Sequence, residues 1–263
     1  MSAVCLLNGL VELQHMESAL PWALLAIGGV GLATFVVYQL RASAPLLNLR
    51  LFAYRQVSIG SMVAFAHGFA IFSSVYLLPM FLQTALAYSP SRSGFTLLPA
   101  GLVLAFTIPW GGRLADRHPP GPLVTGGLLV LVVSLLLTAN VTQATPYALV
   151  LVWVALGRMG IGVMGPALQL GSLRGLALSD IPQAASITSF VRQFGGAAGV
   201  SVVASVLQWR MMANGLGVEP AEGSRSFIQA FEETFWFIAI FSGIAAMAGW
   251  FLSPKTAKKR HAV

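Results

Sequence analysis

Seven long apolar stretches alternate with short polar segments along the chain, and this pattern predicts seven membrane-spanning helices. Each stretch reaches the roughly 20 residues that a helix needs to cross the hydrocarbon core of a bilayer. None shows the period-two alternation of outer-membrane barrel strands, so the expected fold is an all-α integral membrane protein. The predicted spans are 21–40, 57–84, 93–112, 121–140, 147–170, 183–209 and 233–252.

The amino-acid composition agrees with a membrane protein. The 263 residues are 57% hydrophobic and 9% charged, and their mean hydropathy is +0.80. A single water-soluble domain cannot bury that much apolar surface. The lone Cys5 excludes an internal disulfide, and the sequence predicts no metal centre, no redox centre and no cofactor.

Basic residues in the loops predict the orientation, because lysines and arginines next to spans are retained on the cytoplasmic side. Ten of them fall in one set of alternating loops and three in the other. The first set is Arg41, Arg50, Arg55, Arg113, Arg117, Arg174, Lys255, Lys258, Lys259 and Arg260, and the second is Arg92, Arg210 and Arg225. The N-terminus is therefore expected outside and the C-terminus in the cytoplasm, in the inner or plasma membrane.

The net charge of +7 is interpreted as this insertion signal. Anionic lipid headgroups are the expected partner of the basic tail. A nucleic-acid partner is not expected, because no loop is long enough to form a domain.

Two arginines, Arg158 and Arg192, lie inside predicted spans. An arginine at the centre of a span costs at least about 2.5–3.5 kcal/mol, so each requires a polar partner or a wet cavity. Together with Gln193 they are candidates either for a substrate cavity or for polar anchors between helices. His67, in the middle of the second span, joins the same set, as a proton relay or as a hydrogen-bonded packing residue.

Small and aromatic residues recur within the spans. Gly160, Gly162, Gly195 and Gly199 are predicted to allow close helix packing, since glycine costs about 1 kcal/mol relative to alanine inside a helix. Four aromatic residues of the second span recur every three or four positions and are candidates for an apolar binding wall, with plain helix packing as the alternative. They are Phe65, Phe69, Phe72 and Tyr76.

No carboxylate lies deep in any predicted span, and Glu232 and Glu233 are expected at an outer mouth. Proton-coupled transport normally needs an embedded carboxylate. The protein is therefore either not proton-driven or depends on a carboxylate from another part of the machine. The apolar N-terminal run is too short to span and lacks the basic start of a signal peptide, so the chain is expected to be the C-terminal part of a longer one.

The segment Gly111–Arg117 places charges after a glycine pair and is predicted to form a polar turn between two spans. Gly112-Arg113-Leu114-Ala115-Asp116-Arg117 resembles the loop signature of the major facilitator superfamily. Pro45–Phe52, followed after one span by Tyr88-Ser89-Pro90, and Arg192–Gly196 are similar to the fourteen-span drug:proton antiporters of EmrB/QacA type. The resemblance covers the last seven of the fourteen spans.

This resemblance implies a division of the chain into five parts. They are a remnant of a preceding helix and outer loop at 1–20, a peripheral linker helix at 21–40, a cytoplasmic linker at 41–56, a six-helix bundle at 57–252, and a basic tail at 253–263. The bundle is expected to contain two inverted three-helix repeats, 57–140 and 147–252.

The resemblance also implies a function, the export of amphipathic or cationic organic compounds by alternating access. The expected partners are membrane lipid, an amphipathic substrate, a coupling proton and the N-terminal half of the transporter. Gly112, Arg113, Asp116 and Arg117 would form a cytoplasmic latch, in which Asp116 accepts hydrogen bonds from a neighbouring helix end and pairs with Arg113 or Arg117. A plain solvated turn is the alternative.

Two other classes of seven-span protein depend on side chains that this sequence does not supply. A retinal protein needs a lysine in the last span, and none precedes Lys255. An intramembrane protease needs paired aspartates, a histidine pair or a serine-histidine dyad, and His67 is the only embedded histidine, so no enzyme is expected. A non-transporting membrane assembly or regulatory protein remains the alternative.

Overall fold

A computed structural model describes residues 9, 20–41, 48–213 and 225–252. Seven of its helices are long and apolar enough to cross a membrane, which confirms the predicted all-α membrane fold. They are α1 (Leu20–Arg41), α2 (Arg55–Met80), α3 (Pro90–Arg117), α4 (Pro120–Ala139), α5 (Tyr147–Leu173), α6 (Ile181–Ala213) and α7 (Arg225–Trp250). Most of the predicted N-terminal remnant and the basic tail at 253–263 lie outside the described residues.

Prolines and a serine cap set the ends of α3. The hydroxyl oxygen of Ser89 accepts a hydrogen bond from the backbone N–H of Arg92 at 3.2 Å, and Pro90 occupies the first turn, where a missing N–H costs nothing. At the other end the N–H of His118 still bonds to the carbonyl of Leu114 at 2.9 Å. Two prolines follow and stop the helix, and the second of them begins α4.

The polar turn predicted at Gly111–Arg117 is therefore wrong in its secondary structure. This segment forms the last turns of α3, and the chain reverses only at His118 and Pro119. The physical reason is local: leucine, alanine and arginine are strong helix formers, and no proline interrupts the segment. Charged residues mark the end of the apolar run but do not end the helix.

The chain on either side of α2 is irregular. A 3-10 helix, Leu49–Ala53, precedes α2, and the Asn48 side chain caps it by accepting a hydrogen bond from the N–H of Arg50 at 3.2 Å. Leu51 of this helix is buried against α2 and α6. After Pro79 the final turn of α2 widens into a π-helix, Phe81–Ala85, as is common where a proline removes a backbone donor.

The six helices α2 to α7 form one bundle with two matching pairs of neighbours. Helix α2 packs mainly on α6, α3 packs mainly on α5, and α4 lies between α5 and α7. If α2, α3 and α4 are matched in order with α5, α6 and α7, the contact between α2 and α6 corresponds to the contact between α5 and α3. Two three-helix repeats would be related in this way, and the division into repeats stays a prediction. Helix α1 contacts mainly the 3-10 helix.

Glycines lie where these helices cross. A Cβ on Gly199 would lie 2.7 Å from the carbonyl oxygen of Phe69 in α2, and one on Gly195 would overlap the carbonyl of Phe65. A Cβ on Gly160 would lie 2.5 Å from the carbonyl oxygen of Gly127 in α4. The backbones therefore touch directly, which is the usual way membrane helices gain packing energy.

Aromatic side chains fill the interior on the α7 side of α2. The ring of Phe81 lies 5.3 Å from that of Phe235, edge to face, and 5.5 Å from that of Phe231. All three side chains are at most 1% exposed. Pairs in this geometry add to the energy of burial, so they hold α7 against the end of α2.

An arginine between two tyrosines connects the beginnings of α3 and α5. The guanidinium carbon of Arg92 lies 4.0 Å from the ring centre of Tyr88 and 5.0 Å from that of Tyr147. The Tyr147 hydroxyl also accepts a hydrogen bond from Thr96 at 3.2 Å. Cation–π contacts of this kind stabilise the connection without a carboxylate partner.

An ion pair connects α6 and α7. Arg210 Nε lies 3.2 Å from Glu233 Oε2, and the Arg210 guanidinium also lies 4.8 Å from the ring centre of Trp209. Helix α7 begins at Arg225, so Glu232 and Glu233 lie about two turns after its first residue, and their place at an outer mouth of the span stays a prediction. The polar residues at 225–233 stay helical because nothing in that segment breaks a helix.

The glycine pair in α3 provides a matched test of this packing. A Cβ on Gly111 would lie 2.7 Å from the carbonyl oxygen of Gly162 in α5, whereas one on Gly112 would meet no atom within 4 Å. Gly111→Ala should therefore lower the stability of the chain by about 1–3 kcal/mol through overpacking. Gly112→Ala should be neutral or raise it by up to about 1 kcal/mol through helix propensity.

Thermal unfolding of the purified full chain in detergent measures the difference between the two alanine variants. Equal melting temperatures for both would contradict the direct α3–α5 backbone contact.

Candidate functional site

A cavity of about 310 Å³ lies between α2, α3, α5 and α6. Its walls are mostly aliphatic, and they come from all four helices. Four polar side chains reach it, namely His67, Gln169, Thr188 and Arg192. The volume is at the lower end of the roughly 300–1,000 Å³ of pockets that hold drug-sized ligands, and the mixture of apolar wall and few polar groups is typical of such pockets.

His67 is the most enclosed polar residue of this cavity. Its side chain is 4% exposed, and neither ring nitrogen has a hydrogen-bond partner among the described residues. Gly165 of α5 faces it, because a Cβ there would lie 3.8 Å from His67 Cε1. An unpaired buried polar group costs free energy, so these nitrogens favour a polar ligand in the cavity.

Arg192 supplies the only positive charge among the residues that line the cavity. Its guanidinium makes no ion pair or hydrogen bond within the part of the chain that the structure describes, where Arg210–Glu233 is the one ion pair. Arg192 and His67 reach the same cavity because the backbones of α6 and α2 touch beside them: a Cβ on Gly68 would overlap the carbonyl of Arg192.

Gln169 and Thr188 belong to the cavity although the sequence analysis did not single them out. Thr188 precedes Arg192 by four residues, which is the spacing that places two side chains on one helix face. Its hydroxyl donates to the carbonyl of Ala184 at 3.0 Å. Gln169 is an exposed polar residue on the rim. The predicted candidate Gln193 is exposed and is not among the residues that line the cavity.

Arg158 lies at a different place in the bundle. It lines a cavity of about 30 Å³ whose polar groups are hydroxyls of Ser74, Ser134 and Thr138. The Ser134 hydroxyl donates to the backbone carbonyl of Trp153 at 2.6 Å. This space is far smaller than the roughly 300 Å³ of a small-molecule pocket. The structure therefore separates the two intramembrane arginines, and the role of Arg158 as an anchor between helices stays a prediction.

The four aromatic candidates of α2 occupy different environments. Phe69 is 4% exposed and packs on Phe241 with ring centres 4.3 Å apart, which favours the helix-packing alternative for this residue. Phe65 lies 6.3 Å from Phe194 of α6. Phe72 and Tyr76 are 39% and 37% exposed. A binding wall formed by these aromatic residues stays a prediction.

The signature residues lie at one end of the bundle. Asp116 and Arg117 line a cavity of about 1190 Å³ between the end of α3, the start of α4, the end of α5 and the start of α6. Arg113 is exposed nearby, while Gly112 contacts no neighbouring helix.

The predicted ion pair of Asp116 with Arg113 or Arg117 is absent from the described residues. Because α3 stays helical, the side chain of Arg117 diverges from that of Asp116 by about 100°. Arg113 lies one turn before Asp116, but exposed pairs of this kind gain little over solvation by water. The hydrogen-bond partner of the expected latch is also not found among the described residues.

Comparison with known proteins shows that the chain is similar to proteins named for drug resistance. It is 29% identical over 229 residues to the lincomycin resistance protein LmrB of Listeria monocytogenes, which is 86% of this chain and 49% of that protein. It is 32% identical over 183 residues to LmrB of Bacillus subtilis, 70% of this chain and 38% of that protein. A multidrug resistance protein B homolog of Mycobacterium tuberculosis is 30% identical over 189 residues, 70% and 35% of the two chains.

The chain thus spans about half or less of the length of these relatives. Their names refer to resistance and not to a catalysed reaction. Residues 8–200 match the profile of the Major Facilitator Superfamily. The chain, a multi-pass membrane protein, therefore belongs to the major facilitator superfamily.

Proposed function

We propose that this chain is the C-terminal portion of a fourteen-span transporter of EmrB/QacA type, which exports amphipathic organic compounds by alternating access in exchange for protons. Two facts support the proposal. Similar proteins are named for drug resistance, and the chain spans about half of the length of one of them and about a third of another. On this proposal α1 is the linker helix, and α2 to α7 are the C-terminal bundle with its two inverted repeats.

The observation that carries the proposal is the cavity at His67 and Arg192. It lies between α2 and α5, which correspond to each other in the two proposed repeats, and between α3 and α6, which also correspond. Substrate sites of transporters built from repeats lie near the repeat interface in the middle of the membrane. Polar groups in an apolar wall at that place are suited to an amphipathic compound.

One face of α3 supports the proposal that a further part of the transporter packs against this chain. Large apolar side chains at positions 95, 98, 102, 106 and 110 are between 52% and 77% exposed. They recur at the spacing of one helix face, opposite the side that packs on α5. We assign the N-terminal half as the partner of this face, because relatives contain as much additional chain as this one comprises.

The proposed coupling proton requires a carboxylate from outside the described bundle interior. The acids that the structure describes are Asp116, Asp180, Glu232 and Glu233, and none lines the cavity at His67. The N-terminal half would supply the embedded acid, and the C-terminal half would supply His67 and Arg192.

The proposed orientation is N-terminus outside and C-terminus in the cytoplasm. Gln56 at the start of α2 and Arg117 at the end of α3 line the same end cavity as Arg174 after α5. The basic loop residues between these helices therefore gather at one end of the bundle, as a single cytoplasmic face requires. Asp116 lies at that end, where it would latch onto the N-terminal half and not onto its own arginines.

Co-expression tests the proposal as a whole. The chain together with an N-terminal half of the fourteen-span type should restore efflux of fluorescent amphipathic compounds from cells, and the chain alone should not. A panel of anionic, neutral and cationic compounds, measured by the rate of fluorescence loss, provides the readout. Efflux by the chain alone would contradict the half-transporter account. Halves that copurify without efflux of any compound would favour an assembly or regulatory protein.

Asp116→Asn tests the latch in the same assay. Removing the carboxylate charge should abolish or uncouple efflux at unchanged membrane abundance, because an amide attracts helix N–H groups and cations less strongly. Asp180→Asn is the matched control, since it removes one carboxylate before α6 and asparagine caps helices equally well. Unchanged efflux in Asp116→Asn would reduce Asp116 to a solvated residue.

A further inference from the structure

The cavity at His67 and Arg192 has hydrogen-bond donors for which the described residues supply no partner. The guanidinium of Arg192 has no ion-pair or hydrogen-bond partner among the described residues. The ring nitrogens of the buried His67 are likewise unpartnered there. The Thr188 hydroxyl already donates to its own helix at Ala184, so it adds no donor toward a ligand. The donors of the cavity are therefore Arg192, His67 and, on the rim, Gln169.

The charge of the cavity has one sign. No described carboxylate lines it, and the Arg192 guanidinium faces walls of low polarity. Charges interact more strongly in such surroundings than in water, so a cation inside the cavity would be repelled and an anion attracted. An arginine guanidinium also matches the two oxygens of a carboxylate with two parallel hydrogen bonds.

The remainder of the cavity is apolar. Leu104 and Ile108 of α3, Ile71 of α2 and Ile161 of α5 form walls beside the polar residues. A small inorganic anion would leave these walls without a partner. A hydrocarbon or aromatic body attached to the anion would cover them and gain the free energy of apolar contact.

We propose that this cavity binds the carboxylate of an amphipathic organic acid, with Arg192 and His67 as donors to the carboxylate oxygens and the apolar walls around the body of the compound. This inference deepens the proposed function, on which it rests, because it assigns organic anions as the substrate class of the site. It replaces the cationic compounds expected from the sequence.

Direct binding tests the proposal without transport. The purified full chain in nanodiscs of phosphatidylcholine is titrated with a dansylated amino acid of eight carbons, its primary amide and the corresponding amine, and dansyl fluorescence is followed. The carboxylate should bind about tenfold or more tightly than the amide, since a charge-assisted hydrogen bond is stronger than a neutral one. The amine should bind most weakly.

Variants assign the preference to the cavity. Arg192→Gln should remove the preference for carboxylate over amide, Arg192→Lys should retain part of it, and His67→Leu should weaken carboxylate binding while leaving amide binding nearly unchanged. Arg174→Gln, which removes an equal charge from an exposed position after α5, is the control and should bind like the original chain. Size-exclusion profiles identify any variant that fails to fold. The variants that do fold then decide whether the preference for carboxylate depends on this cavity.

Four outcomes would overturn the proposal. They are equal binding of carboxylate and amide, preference for the amine, an unaltered preference in Arg192→Gln, and displacement of the carboxylate by phosphatidylglycerol in the disc, which would make this a lipid headgroup site. Failure here is distinguishable from failure of the proposed function. If the joined halves export only neutral or cationic compounds, the proposed transporter function stands and the organic-acid site is rejected. If the chain binds the carboxylate but the joined halves export nothing, the organic-acid site stands and the transporter function is rejected.

Discussion

Direct contact between helix backbones is the constraint on which this bundle depends. Lipid tails are as apolar as the side chains, so burial of apolar surface drives little association between helices in a membrane, and close van der Waals packing has to supply it. Helix α5 provides such contacts twice, at Gly160 against Gly127 of α4 and at the carbonyl of Gly162 against Gly111 of α3. Helix α6 does so at Gly195 and Gly199 against α2. Each of these crossings is possible only because glycine has no side chain at the point of contact.

The same contacts create the polar site. Gly68 lets the backbone of α2 touch that of α6 at Arg192, and Gly165 leaves room beside the His67 ring. Among the described residues that line the cavity there is no carboxylate to offset the cost of placing an arginine and a histidine in an apolar bundle. Arg158 has different surroundings, because it lines a small space to which serine and threonine hydroxyls contribute.

The spans could be predicted from the sequence because crossing the bilayer requires an apolar run of a minimum length, and the length of a run is a local property of the sequence. Helix ends could not, since polar residues at 113–117 and 225–233 continue a helix beyond the apolar run. His67 and Arg192 line the same cavity because α2 and α6 cross beside them, and no local sequence pattern predicts which helices cross. Gln169 and Thr188 were missed for the same reason, although the four-residue spacing of Thr188 and Arg192 was visible.

The length of α6 sets the depth of its arginine. Trp209, which is 62% exposed, and the adjoining Arg210 are residue types that remain at the level of lipid headgroups. Arg192 lies about 26 Å further along the helix axis. Since Trp209 is of a type that stays among the headgroups and the hydrocarbon core is about 30 Å thick, this guanidinium lies inside the core. A charged ligand bound there would be surrounded by hydrocarbon, so the polar groups of the cavity would have to balance its charge.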